Sequence, residues 1–163
     1  MAENGNTDDH PVDEAIEALD LAPVAKAAAY ALKLQHPEVV FTSGRRDKFG
    51  QARAMASNVV RNRKWIVQTY KASDIRTACQ RWVDDHPEAT TRDQIQDGLL
   101  SVFNSVTDEQ LGGLSKHLSG NAFDVQPVQH GAEAIKAAIR GLKGLDLFLE
   151  REGGLERWHA QFK

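Results

Sequence analysis

The chain has 163 residues, with 20 Lys and Arg against 23 Asp and Glu, a net charge of -3 and a single cysteine. That length is enough for one domain with its own hydrophobic core. The scattered, slightly acidic charge excludes a basic nucleic-acid-binding stripe. The lone Cys79 excludes an internal disulfide or a cysteine-built zinc knuckle, so any metal must be held by nitrogen and oxygen.

Residues 1–10 are polar and predict a flexible tail, with a single domain over residues 11–163. The opening MAENGNTDDHPVDEA lacks the basic start and apolar core of a secretory signal, and no run is long enough to span a membrane. The expectation is therefore synthesis in the cytoplasm without membrane insertion. Residues 12–35 are alanine-rich, with Ile16, Leu19, Val24, Ala28 and Leu32 at helical spacing and Pro23 opening a new turn, which predicts two short helices.

EVVFT, residues 38–42, reads as a short strand running into SGRR, and the first part of residues 50–70 reads as a helix. Residues 73–86 and 92–103 carry two amphipathic helical patterns, the second led by Thr91 with Gln94 three later, a capping-box signature. They define a helical subregion at about residues 73–112. AFDVQPV alternates from residue 122, residues 130–144 form a helix stopped by Gly141 or Gly144, and LDLFLE and LERWHAQF alternate again. Helices come mostly first and strands late, so the fold class is α+β with a small antiparallel sheet flanked by several helices.

Two polar clusters stand out. In SKHLSGNAFDV, residues 115–125, Phe123 and Val125 point one way along a strand and Asp124 the other, while Gly120 permits a turn that brings His117 back over it. In LERWHAQF, Trp158, Ala160 and Phe162 share one face, which leaves His159 and Gln161 on the opposite one. Two imidazoles and a carboxylate make a sound three-ligand set for a catalytic zinc, which keeps its fourth position open. Glu156 is the candidate base beside it. On a flat strand residues three apart face opposite sides, so Glu156 is expected in a bend before the strand, made possible by Gly153 and Gly154.

SKHLSGNAFDV is similar to the motif Ser, any residue, His, two residues, Gly, any residue, Ala, any residue, Asp of the LAS-type zinc metallopeptidases (peptidase family M15). These include D-Ala-D-Ala carboxypeptidases, dipeptidases and phage L-alanyl-D-glutamate endopeptidases. ERWH resembles their second motif, an acidic residue three before a zinc-binding His, although Trp158 stands where a Pro is frequent. With SGRR the resemblance spans roughly residues 39–163, residues 71–114 matching only in being helical. It implies a hedgehog/D-Ala-D-Ala peptidase-like fold with one Zn2+ ion held by His117, Asp124 and His159, and Glu156 as catalytic base.

The resemblance also implies a substrate-side arginine in SGRR, at Arg46 or at Arg45, which replaces the usual aromatic residue. Ser115 and Gln51 join this substrate or oxyanion set. The implied substrate is the stem peptide of peptidoglycan, cut by a monomeric phage endolysin that reaches the periplasmic wall after holin-type release. The alternatives are a bacterial D-Ala-D-Ala carboxypeptidase or dipeptidase, a non-catalytic metal-stabilised wall-binding protein, and a helical interaction protein whose motifs arose by chance. His10, His36, His86 and His130 are assigned no ligand role, and Trp65, Trp82 and Trp158 read as core or groove-wall residues.

Overall fold

The computed structural model describes residues 11–152 and 154–163; the expected tail over residues 1–10 lies outside them, as does Gly153. Helix starts follow local side-chain chemistry. Asp13 accepts from the Ile16 amide to open α1 (Glu14–Glu17), and Pro23 takes the first turn of α2 (Pro23–Gln35), where its missing N–H costs nothing. A short strand, β1 (Phe41–Ser43), is followed by α3 (Lys48–Val59), capped by the Asp47 carboxylate on the Gly50 amide.

α4 (Trp65–Thr69) and α5 (Asp74–Asp85) come next. α6 (Arg92–Asn104) has the expected capping box between Thr91 and Gln94, and Thr107 with Gln110 repeats it for α7 (Asp108–Gly112). Each such cap is worth about 1 kcal/mol. A 3-10 turn (Lys116–Ser119) leads into β2 (Ala122–Val125), then α8 (Ala132–Arg140), β3 (Leu145–Glu152) and β4 (Leu155–Phe162). α4 and α7 have five residues each, too few for their periodicity to be read.

The four strands form one antiparallel sheet in the order β1-β2-β4-β3. One face carries Phe123, Val125, Trp158, Ala160 and Phe162 into a hydrophobic cluster closed by α1, α2 and α8. A second, separate cluster is built by α3 to α7 around Met55, Ile66, Ile95, Leu99 and Phe103. Burying side chains of this size contributes about 1.5–3 kcal/mol each. His117 belongs to the turn whose Leu118 packs on the second cluster, whereas Asp124 and His159 leave the sheet whose far side belongs to the first. The candidate site therefore lies in the seam between two cores.

The β3–β4 ladder is irregular. Leu149 pairs with His159 and Arg151 with Glu156, so two steps along β3 correspond to three along β4. One extra residue is accommodated in β4, a bulge that bends the hairpin and reverses its alternation of faces.

Candidate metal centre

Asp124 on β2 stands directly opposite His159 on β4 in the ladder. His117 reaches them from the 3-10 turn, which Ser115 opens by accepting the His117 amide at 3.2 Å and Gly120 closes in the left-handed region at φ 77°. Only glycine suits position 120, because a Cβ there would lie 2.8 Å from the Arg45 guanidinium and 3.0 Å from the Ala22 amide nitrogen. All three side chains are buried, and one ligand atom from each lies within 4.8 Å of the others.

Hydrogen bonds on the outer side of each ring decide what faces inward. Nδ1 of His117 lies 2.8 Å from the Gly44 carbonyl, an acceptor, so this nitrogen carries the proton and Nε2 keeps its lone pair. Gln161 donates through Nε2 to Asp146, which turns its Oε1 toward Nε2 of His159 at 3.0 Å. His159 therefore donates outward from Nε2 and turns the Nδ1 lone pair inward. Both inward nitrogens face Asp124 Oδ1, Nδ1 of His159 at 2.9 Å and Nε2 of His117 at 3.4 Å. Three acceptors converging on one point need a proton or a cation between them. Outer partners of this kind, a carbonyl and an amide oxygen, orient imidazole ligands in metal sites. The residues present thus fit a bound divalent cation.

In the metal-free centre an extra proton on the imidazoles can take the place of the cation. Burial would raise the Asp124 carboxyl, but its hydrogen bonds and charge interactions with His117 and His159 hold it well below the usual carboxylate range. Burial would lower His159, yet the adjoining Asp124 and Glu152 carboxylates raise it above its ordinary value.

The structure separates the two arginines of SGRR. Arg46 donates from Nη2 to Ser43 Oγ at 3.0 Å and to Asp124 Oδ2 at 3.4 Å, and Ser43 itself donates to the same oxygen at 2.6 Å. Its backbone amide is fixed to the His117 carbonyl. Arg45 turns away, with Nε bonded to the Asp20 carbonyl and paired with the Asp20 carboxylate. Arg46 is thus the arginine that stands beside the centre, and Arg45 is engaged with Asp20.

Gln51 and Ser115 are both engaged with neighbouring groups of the chain. Gln51 is fully buried on α3 and donates to the Tyr70 hydroxyl at 3.0 Å. The Ser115 hydroxyl is committed to the His117 amide. Tyr70 was not foreseen. It packs edge-on against Trp65, and burial together with the nearby Glu152 carboxylate raises its phenol, which keeps it a hydrogen-bond donor.

Glu156 corrects another expectation. It lies within β4, paired with Arg151, and not in a bend ahead of the strand. Glu156 lines, exposed, a cleft of about 360 Å³ that Asp124 also lines. Among the described residues, the carboxylate that approaches the histidine pair most closely after Asp124 is Glu152, at the end of β3, with Oε1 3.8 Å from Nδ1 of His159. No spacing rule points to it, because it reaches the site across a hairpin. Trp65 and Trp158 are buried in the second and first cores respectively, while Trp82 stacks on His86 at 4.1 Å.

No helix among the described residues is long and apolar enough to cross a membrane. No protein-family model, curated protein or solved structure matches the chain.

Proposed function

We propose that the protein is a zinc-dependent peptidase that hydrolyses an amide bond in the stem peptide of peptidoglycan, in the setting of a phage endolysin that lyses its host. The observation that carries this reading is the convergence of two imidazole lone pairs and the Asp124 carboxylate at one buried point beside an arginine. The motif resemblance supplies the substrate class, and a small antiparallel sheet flanked by helices agrees with a D-Ala-D-Ala peptidase-like fold.

His117, Asp124 and His159 would hold the ion. When bound, zinc supplies Lewis acidity toward a carbonyl and toward water. The chain's own groups do the rest. Glu156, in the cleft shared with Asp124, takes a proton from the attacking water onto its carboxylate and delivers one to the leaving amine nitrogen. Arg46 is held by Ser43 and Asp124 through Nη2, which leaves its remaining N–H groups to donate to a substrate carboxylate or to the oxygen that gains charge.

Incubation with purified sacculi, followed by mass spectrometry of the released fragments with and without a chelator, tests this reading. Chelator-sensitive release of stem-peptide fragments is the expected result, and the new termini identify the bond and separate endopeptidase from carboxypeptidase action. No release by zinc-loaded protein would overturn it.

A further inference from the structure

Glu152 is the last residue of β3, and the bulge in β4 bends the hairpin so that its carboxylate comes within 3.8 Å of Nδ1 of His159. This is the same nitrogen whose lone pair faces Asp124. The Glu152 side chain is only 17% exposed, and among the described residues no Lys or Arg forms an ion pair with it. A carboxylate so far withdrawn from water is costly unless a cation compensates it.

Charge accounting sharpens the point. With both histidines neutral, Asp124 and Arg46 cancel, -1 and +1, and Glu152 makes the centre -1 overall. Glu152 is thus the group that gives the pocket a net attraction for a cation. It is not one of the three residues whose ligand atoms all lie within 4.8 Å of one another, so it acts from beside the ligand set. Glu156 is exposed in the outer cleft, where water screens its charge.

We propose that Glu152 is a fourth group of this centre and its second acidic one after Asp124, strengthening its hold on a divalent cation from outside the three-ligand set, while Glu156 takes no part in holding the ion. This rests on the metal-centre reading above but not on the peptidase reaction.

The test is zinc affinity, measured by chelator competition on the full chain with zinc alone as probe. Glu152→Gln should bind roughly 10- to 100-fold more weakly than wild type, the usual range for groups that support metal ligands from outside. Glu156→Gln should stay within about twofold of wild type, and Glu152→Asp, which keeps the charge, should recover most of the loss. Wild-type affinity in Glu152→Gln overturns the proposal, and so does an Asp variant as weak as the Gln variant. Melting of each metal-free variant shows whether a loss of affinity is a loss of fold, in which case the Asp variant decides. A wild-type chain that binds no zinc overturns the metal centre itself, an outcome distinct from failure of Glu152 alone.

Discussion

Nδ1 of His159 and Oδ1 of Asp124 lie 2.9 Å apart across the β2–β4 ladder, and once Gln161 has engaged the imidazole proton on Nε2 both atoms are acceptors. Such a pair is satisfied either by an extra proton or by a metal ion. Most of what can be measured on this protein follows from the competition between the two.

Zinc should stabilise the fold. At a free concentration 100 times the dissociation constant, binding adds about 2.7 kcal/mol. For a chain of this length that raises Tm by roughly 5–10 °C. Thermal melts with zinc and with chelator measure the shift, and His117→Ala, Asp124→Ala and His159→Ala should each abolish it.

The shift should depend on pH in a definite direction. His159 is raised above 6.5, so in the metal-free protein its contribution is fully present below that value and is lost as pH rises through the raised one. Asp124 is lowered below 3.8, so its contribution is present above that value and is lost as pH falls through the lowered one. Zinc must displace the proton on His159, so the zinc-induced gain in Tm should shrink as pH falls below the raised His159 value. Melts at several pH values, with and without zinc, test this, and a gain that grows on acidification would count against the ligand assignment.

Glu156→Gln should lower kcat by roughly 10²- to 10⁴-fold, the range for loss of a positioned proton-transfer group. Its zinc content should be unchanged. Assay on stem peptide, paired with metal analysis of the same preparation, separates the two quantities.

The arginines of SGRR should differ sharply. Arg46→Ala removes the donor held beside Asp124 and should cost roughly 10²-fold in kcat/KM. Arg45→Ala breaks an exposed pair with Asp20 and should leave turnover within about twofold, with a stability loss of no more than about 1 kcal/mol.

Cys79 is fully buried in the helical cluster, and burial pushes its thiol up to about 12. A thiol-reactive dye should label it only as the chain unfolds, at the rate of global opening. Fast labelling under native conditions would mean that the helical cluster opens by itself.

The legible parts of the fold were those with local causes. Pro23 and the Thr91–Gln94 box mark helix starts because caps act within four residues, and Trp158, Ala160 and Phe162 declare their face because strand alternation is local. Asp124 and His159 were legible as candidate ligands because each stands on the polar side of such a pattern, and His117 because of the glycine turn and the motif around it; the structure brings the three together. What escaped depends on pairing between distant segments. The extra residue in β4 is defined only against β3, so neither the position of Glu156 within the strand nor the approach of Glu152 has a signature in residue order. The choice between Arg45 and Arg46 was hidden for the same reason, since it turns on Asp20 on one side and Asp124 on the other.

The seam between the two hydrophobic clusters has a mechanical consequence. Each cluster has its own apolar interior, while the candidate ligands come from both sides, His117 from the turn seated on the helical cluster and Asp124 and His159 from the sheet. An ion gripped there acts as a rivet across the joint. Stripped of it, the halves are free to breathe against each other, and a protein that melts as one body when loaded should then show two separable populations of exchanging amides, divided along that joint.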